Sequence, residues 1–394
     1  MAAAARVESH QQNEVDELKK AVLSCRGKAQ ELLLLKSGYY NKCKGIREVR
    51  CTLLASTHDS SATPSSANGK HANGERSKSP NYSTNATGIS LSHPSSPSTP
   101  SSASRKVVHF IRHGEGNHNV AQREWRARKD FGAYKSEAWD RLSEPYTIDN
   151  DPKYRFIDAQ LTAAGQAQAE ALRDPLAKTN WQAHVDFALP EVELLLVSPL
   201  RRATETGLRA AQDLLLHRTK KGEARKMKIV AIENLHEVGG RHTCDKRLDK
   251  VELEKEYSEW WKTLALHCQD EHEVVQNGAP EAKRQRTSSE TNSQPETPPR
   301  IDFSQLEDTD ALWHETEREK PASCAARAVE VVKYLQSLPE THIVIAAHSA
   351  LLLTLFNAVL TFDSNAPENA SATGWFGTGE MRSVLMEFLP ASEK

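Results

Sequence analysis

The stretch VVHFIRHGEGNHN, residues 107–119, decides how this chain is read. Its first half is a run of apolar and β-branched side chains with one histidine, His109, of the length of one strand covered on both faces. Buried strands generally stop in turn residues. This one stops in Arg112, His113, Gly114 and Glu115, and then carries on with His118 and Asn119. Either the polar strand end is incidental, or a histidine does chemistry there.

The rest of the chain supplies the frame. Residues 106–112, 193–197, 228–232, 342–347 and 382–388 read as short strands. Helices are expected to open at Thr162 and at Ser198, with Ser198 as N-cap and Pro199 in the first turn, and to run over 319–337 and 349–360. Such alternation predicts an α/β fold, a three-layer sandwich with a mostly parallel central sheet flanked by helices on both faces. In sheets of this kind the ligand sits beyond the carboxyl ends of the strands.

Composition divides the chain. Of its 394 residues, 38% are hydrophobic, low for a fully globular chain. Residues 1–104 are read as an N-terminal extension. It begins with a short helical pattern (Val15, Leu18, Val22, Leu32, Leu35) and continues as a disordered linker rich in Ser, Pro and Thr. Residues 105–394 form the domain, with a disordered insertion at about 270–300. The formal net charge of −2 gives no reason to expect nucleic acid or an anionic membrane. The N-terminus lacks the apolar core of a signal peptide, and the run ELLLL is too short to span a bilayer. The six cysteines include no C-x-x-C pair, which points to a reducing compartment. The expected location is cytoplasmic, and the insertion's KRQR adds the nucleus as a second reading.

The residues just past each strand are more specific. The first strand delivers Arg112 and His113; the second leads into SPLRRATET with Arg202 in the first turns; the strand at 342–347 delivers His348. The third is followed by ENLHEVGGRHTCDKR, which holds Glu233, Glu237, Asp245 and Arg247. Singly, each has a bland structural reading. Jointly, two histidines, two arginines and a carboxylate arrive at one sheet edge, where arginine forks and helix N-termini suit a phosphate. His109 and His113, four residues apart, could suggest a metal pair. His109 would however point into a packing layer, and no carboxylate or cysteine has matching spacing. No metal or cofactor is expected.

Five blocks in order, RHGEGNHN (112–119), LTAAGQAQA (161–169), SPLRRATET (198–206), LHEV (235–238) and IAAHSALL (345–352), resemble the histidine phosphatase superfamily, the phosphoglycerate mutase-like proteins. The resemblance covers roughly residues 105–394. It implies that His113 is the nucleophile taking the phosphoryl group. It further implies that Arg112, Arg202, His348 and Asn119 hold the phosphate, and that Glu237 protonates the leaving group. These chemistries fit the residue types. A neutral imidazole is nucleophilic near neutral pH, and two arginines with a charged His348 would stabilise the charge-spread transition state of phosphoryl transfer. Glu237 is preferred as acid over Glu233, which follows the strand directly, and Glu205, one turn into a helix. It is also preferred over Asp245, which Lys246 and Arg247 would keep ionised. Two departures stand out. Ser349 and Ala350 follow the second histidine, where many members carry glycines. The interval before Leu161 is long and rich in Arg, Lys, Trp and Tyr; it is read as a roof over the substrate and as an argument against mutase action.

The leading expectation is thus a histidine-dependent phosphomonoesterase working through a phosphohistidine, its partner a phosphorylated small molecule or phosphoprotein. Two other readings stay open: a phosphoglycerate mutase-type phosphoryl transfer, and a non-enzymatic scaffold on the same fold. Neither the physiological substrate nor the oligomeric state is legible.

Overall fold

In the computed structural model, the apolar run before His113 is a central strand, β2 (Ser104–Arg112). The structure describes residues 49–57, 104–127, 145–151, 153–216, 227–261, 300–363, 365–366, 369 and 372–389. In chain order these hold β1 (Val49–Ser56), β2, α1 (Asn117–Arg126), α2 (Ala163–Glu170), α3 (Arg173–Lys178), β3 (Leu194–Val197), α4 (Arg201–Ala210), α5 (Gln212–Leu216) and β4 (Lys228–Ile232). Then come helical residues 250–261 as α6, and β5 (Ile301–Gln305), α7 (Pro321–Ser337), β6 (His342–Ala347), α8 (Ser349–Thr354), β7 (Thr361–Phe362) and β8 (Met381–Phe388).

The eight strands form one sheet in the order β5-β4-β3-β6-β2-β8-β1-β7. Every pairing is parallel except the two made by β8, with β1 and with β2. The side chains of β2 divide between two layers. Val108 and Phe110 pack with α7 and α8, whereas Ile111 packs on the opposite face with α3, α4 and α5. Val107, Val108, Phe110 and Ile111 have no exposed surface. Full burial of such side chains contributes on the order of 1.5–3 kcal/mol each, which is why the strand reads as a continuous apolar run. The expected three-layer α/β sandwich is the fold observed.

Register then positions the site. Arg112 of β2 pairs with Ala347 of β6, so the next residues, His113 and His348, leave the sheet side by side. Val197 of β3 pairs with Ala346, which brings Ser198 to the same edge.

The structure corrects several expectations. Val49–Ser56, placed by sequence in the extension, is a strand between β8 and β7. Three of its side chains, Val49, Cys51 and Leu53, join the core. So short an apolar stretch, broken by Arg50 and Thr52, gave little period to read; β8 supplies the missing partner. β5 and β7, also unforeseen, are short and lie at the sheet edges. The helix after β3 starts at Arg201 with Leu200 as N-cap, not at Ser198, because Asp158 Oδ1 accepts from Arg201 N at 2.7 Å. The last long helix passes into a π-helical turn at Leu355–Val359. The N-terminal helical pattern, the Ser/Pro/Thr-rich linker and the insertion at about 270–300 lie outside the described residues, apart from their margins. No described helix is long and apolar enough to cross a membrane.

Candidate active site

The loop after β2 is clamped by two other sequence blocks. Gly114 and Gly165 meet backbone to backbone: a Cβ on Gly114 would lie 2.2 Å from Gly165 O, and one on Gly165 would lie 2.1 Å from Glu115 O. Space, rather than dihedral freedom, demands glycine at both. Thr162 caps α2 through Gly165 N (3.0 Å), and its hydroxyl donates to Glu115 Oε1 (2.9 Å). Thr206 of α4 accepts from Gly114 N at 3.0 Å. The blocks containing Leu161 and Ser198 thus fix the backbone that carries His113.

His113 is buried, with 2% of its surface exposed. Nδ1 donates to Gly114 O at 2.6 Å, which leaves Nε2 as the lone-pair nitrogen, and Arg202 Nε donates to that atom at 3.3 Å. Burial first, and then Arg202, Arg112 and His118, hold the imidazole well below its ordinary pKa. The ring is therefore held neutral at neutral pH, with a lone pair on Nε2.

Arg202 is buried and fully oriented. Nη1 donates to Cys244 O (2.6 Å) and Nη2 to Asp245 Oδ1 (2.8 Å). Asp245 Oδ2 in turn pairs with Arg318 Nη2 at 2.8 Å. Burial alone would push the Asp245 carboxyl up, but Arg318, His242 and Arg202 hold it well below the usual range. Asp245 is ionised, as the sequence suggested, but through different partners. Lys246 lies over the Trp313 ring at 4.7 Å, and Arg247 forks onto Glu233 at 3.0 and 2.8 Å. Glu233 is thereby turned away from His113, and Glu205 is occupied by Arg209 and Gln166.

Arg112 donates to Phe376 O at 2.6 Å, and burial lowers its pKa to about 10. Its Nε is buried, with no hydrogen-bond partner among the described residues. His348 faces His113 with ring centroids 5.1 Å apart. Its Nε2 lies 2.7 Å from Ser198 Oγ, and its Nδ1 is buried with no hydrogen-bond partner among the described residues. Because Ser198 Oγ already accepts from Leu200 N, its hydroxyl can donate to Nε2, leaving Nδ1–H as the free donor. Burial, then Arg202 and His113, lower the His348 pKa well below its ordinary value. The charged His348 expected from sequence is disfavoured here, by burial first and then by the Arg202 cation.

Glu237 is brought to the same edge, but differently from the expectation. Oε1 accepts from Val238 N (2.9 Å) and Leu351 N (3.3 Å); Oε2 accepts from Ala350 N and Ser349 Oγ, each at 3.3 Å. The carboxylate caps the start of α8. Ser349 Oγ is a donor to Glu237, and His348 is the N-cap. Gly239 and Gly240 pack against the Leu312 and Glu317 carbonyls, and Gly240 has φ +83. Arg327 pins the loop from α7 by donating to the carbonyls of Asn234, His236 and Glu237.

Asn119 is the outlier among the expected phosphate ligands. It lies in the first turn of α1, where its Oδ1 accepts from Gly116 N at 2.9 Å. Among the described residues, no hydrogen bond ties it to His113, Arg112 or Arg202. His109 lies outside the site altogether: its nitrogens meet Ser383 Oγ (2.7 Å) and His342 Nε2 (2.8 Å). Sequence reasoning missed Asp245 as the clamp on Arg202, Ser198 as the partner of His348, and His118, whose ring centroid lies 5.7 Å from that of His113. His118 was visible in the opening motif. The partnership of Asp245 with Arg202, 43 residues apart in sequence, left no local signal.

No protein-family model matches the chain. A phosphoglycerate mutase-like protein of Arabidopsis thaliana is 28% identical over 273 residues, which cover 64% of this chain and 74% of the relative. The chain is similar to this phosphoglycerate mutase-like protein. A second relative, named "Probable phosphoglycerate mutase", from Arthroderma benhamiae, is 31% identical over 151 residues; the match spans 38% of this chain and 39% of the relative. Among solved structures, a mycobacterial glucosyl-3-phosphoglycerate phosphatase aligns at 16% identity with a TM-score of 0.31, over 71% of this chain and 90% of its own. The α-ribazole phosphatase of Shigella flexneri aligns at 17% with a TM-score of 0.31, over 72% and 96%.

Proposed function

We propose that this protein is a phosphomonoesterase that transfers the phosphoryl group of its substrate to His113 Nε2 and then to water. The observation that carries this reading is the set of donors around that nitrogen. Arg202 Nε points at it, while Arg112 Nε and His348 Nδ1 are buried polar atoms without partners among the described residues. Buried donors normally find acceptors, and a tetrahedral phosphate presents them in the right number.

In the first step the Nε2 lone pair attacks phosphorus and the ester P–O bond breaks. Arg112, Arg202 and His348 carry the charge on the equatorial oxygens. The leaving oxygen takes a proton. Glu237, held as an acceptor next to α8, can receive the proton of a monoanionic phosphoester and pass it to that oxygen. In the second step water attacks the phosphohistidine.

Rapid quenching with an activated aryl phosphate tests this. The wild type is expected to carry acid-labile phosphate on His113. His113→Ala is expected to take up none and to turn over at least about a thousandfold more slowly. Wild-type turnover by His113→Ala would sink the reading. The mutase names of the curated relatives favour one competitor, and turnover of 3-phosphoglycerate with a bisphosphate primer would separate it.

A further inference from the structure

Six side chains close a ring of contacts beside the nucleophile. His113 lies 5.7 Å from His118 between centroids, His118 6.1 Å from Tyr146, and Tyr146 4.9 Å from His242. His242 Nδ1 is 3.7 Å from Asp245 Oδ2, Asp245 Oδ1 is 2.8 Å from Arg202, and Arg202 Nε is 3.3 Å from His113. The proposed phosphatase chemistry uses His113 and Arg202, with Asp245 holding Arg202. His118 has no role in it, yet the chain makes room for this ring. Gly116 has φ −98 and ψ 161, a backbone that any residue adopts. A Cβ there would nevertheless lie 2.8 Å from both Cε1 and Nδ1 of His118. Glycine at 116 therefore clears space for the His118 ring in its inward position. His118 is 8% exposed, and its Nδ1 is buried with no hydrogen-bond partner among the described residues.

We infer that His118 is the catalytic base of the second step, taking a proton from the water that hydrolyses phospho-His113. This inference rests on the phosphohistidine reading. The water oxygen attacks phosphorus, and the P–Nε2 bond breaks with its electron pair returning to His113. The water's proton passes to the His118 ring, inorganic phosphate leaves, and His118 then loses the proton to solvent. Of the other groups at this edge, Glu237 serves the leaving oxygen of the first step, and His348 Nε2 is held by Ser198. Burial, then Arg202, Arg112 and His242 against the opposing pull of Asp245, keep His118 unprotonated and so ready to accept.

The test separates the two half-reactions. The wild type, His118→Gln and His118→Asn are phosphorylated by an activated aryl phosphate in rapid mixing, and release of inorganic phosphate is then followed after removal of substrate. Both variants are expected to take up label within about threefold of the wild-type rate and to release it about a hundredfold more slowly. In His118→Ala, added imidazole should restore part of the release rate. Normal uptake with release at the wild-type rate would overturn the inference. So would uptake and release slowed by the same factor, which marks a packing residue. A wild type that takes no label on His113 would overturn the phosphohistidine reading, and this inference with it.

Discussion

Arg202 aims its Nε at His113 Nε2 across 3.3 Å, and it can do so because Asp245 and the Cys244 carbonyl fix the other end of the guanidinium. The Arg202 guanidinium is thus only as well placed as its buried counter-ion. Asp245→Asn keeps the shape but removes the charge shared by Arg202 and Arg318. It should lower kcat/KM for an aryl phosphate about 10- to 100-fold. Removing one partner of a buried pair typically costs about 3–5 kcal/mol, so melting temperature should fall as well. Unchanged kcat/KM in a folded variant would show that Arg202 needs no such anchor.

Glu237→Gln separates proton transfer from phosphate binding. A phenol of low pKa leaves unaided, whereas an alkyl alcohol needs the proton. Alkyl phosphates should slow by about a hundredfold or more and activated aryl phosphates much less. Equal slowing of both classes would mean that Glu237 acts by capping α8, whose first amides it holds.

Acid should destabilise the fold through its histidines. His109, His113, His118, His342 and His348 are all held below their ordinary pKa, chiefly by burial. For a group whose folded-state pKa is depressed in this way, the unfolded chain takes up the proton near pH 6.5 while the fold refuses it. Stability is therefore complete above about pH 6.5 and falls as pH drops below it, by up to about 1.4 kcal/mol per pH unit for each such histidine. His236 opposes this. Burial would lower its pKa, but its ion pair with Asp310 raises it, so its contribution is lost as pH rises. Denaturant midpoints should stay level from pH 7.5 to about 6.5 and fall from there to pH 5. A flat profile would show that these rings are not held neutral in the fold.

Truncation tests the unforeseen strand. Deleting residues 1–103 removes β1, whose Val49, Cys51 and Leu53 are buried, and uncovers one edge of β8. At about 1.5–3 kcal/mol for each large apolar side chain, melting temperature should fall by about 10 °C or more. An unchanged melting temperature would assign β1 no part in stability.

What the sequence determined by itself is what lies close along the chain or repeats with a regular period. The central strands carry long buried runs, so their positions were legible to within a residue or two, as at β2, β4 and β6. The order of the five blocks placed His113, Arg112, Arg202, Glu237 and His348 at the ends of their elements, and the sheet rule sent them to one edge. What only the tertiary structure decided is pairing across long separations. The register of Arg112 with Ala347 sets the two histidines side by side, and Asp245 rather than a nearer carboxylate clamps Arg202. Val49–Ser56 becomes a strand because β8 offers it an edge. Neither a hydrogen-bonded edge nor a counter-ion brought from a distant loop leaves a periodic trace, because the energy that fixes each of them appears only once the chain has folded.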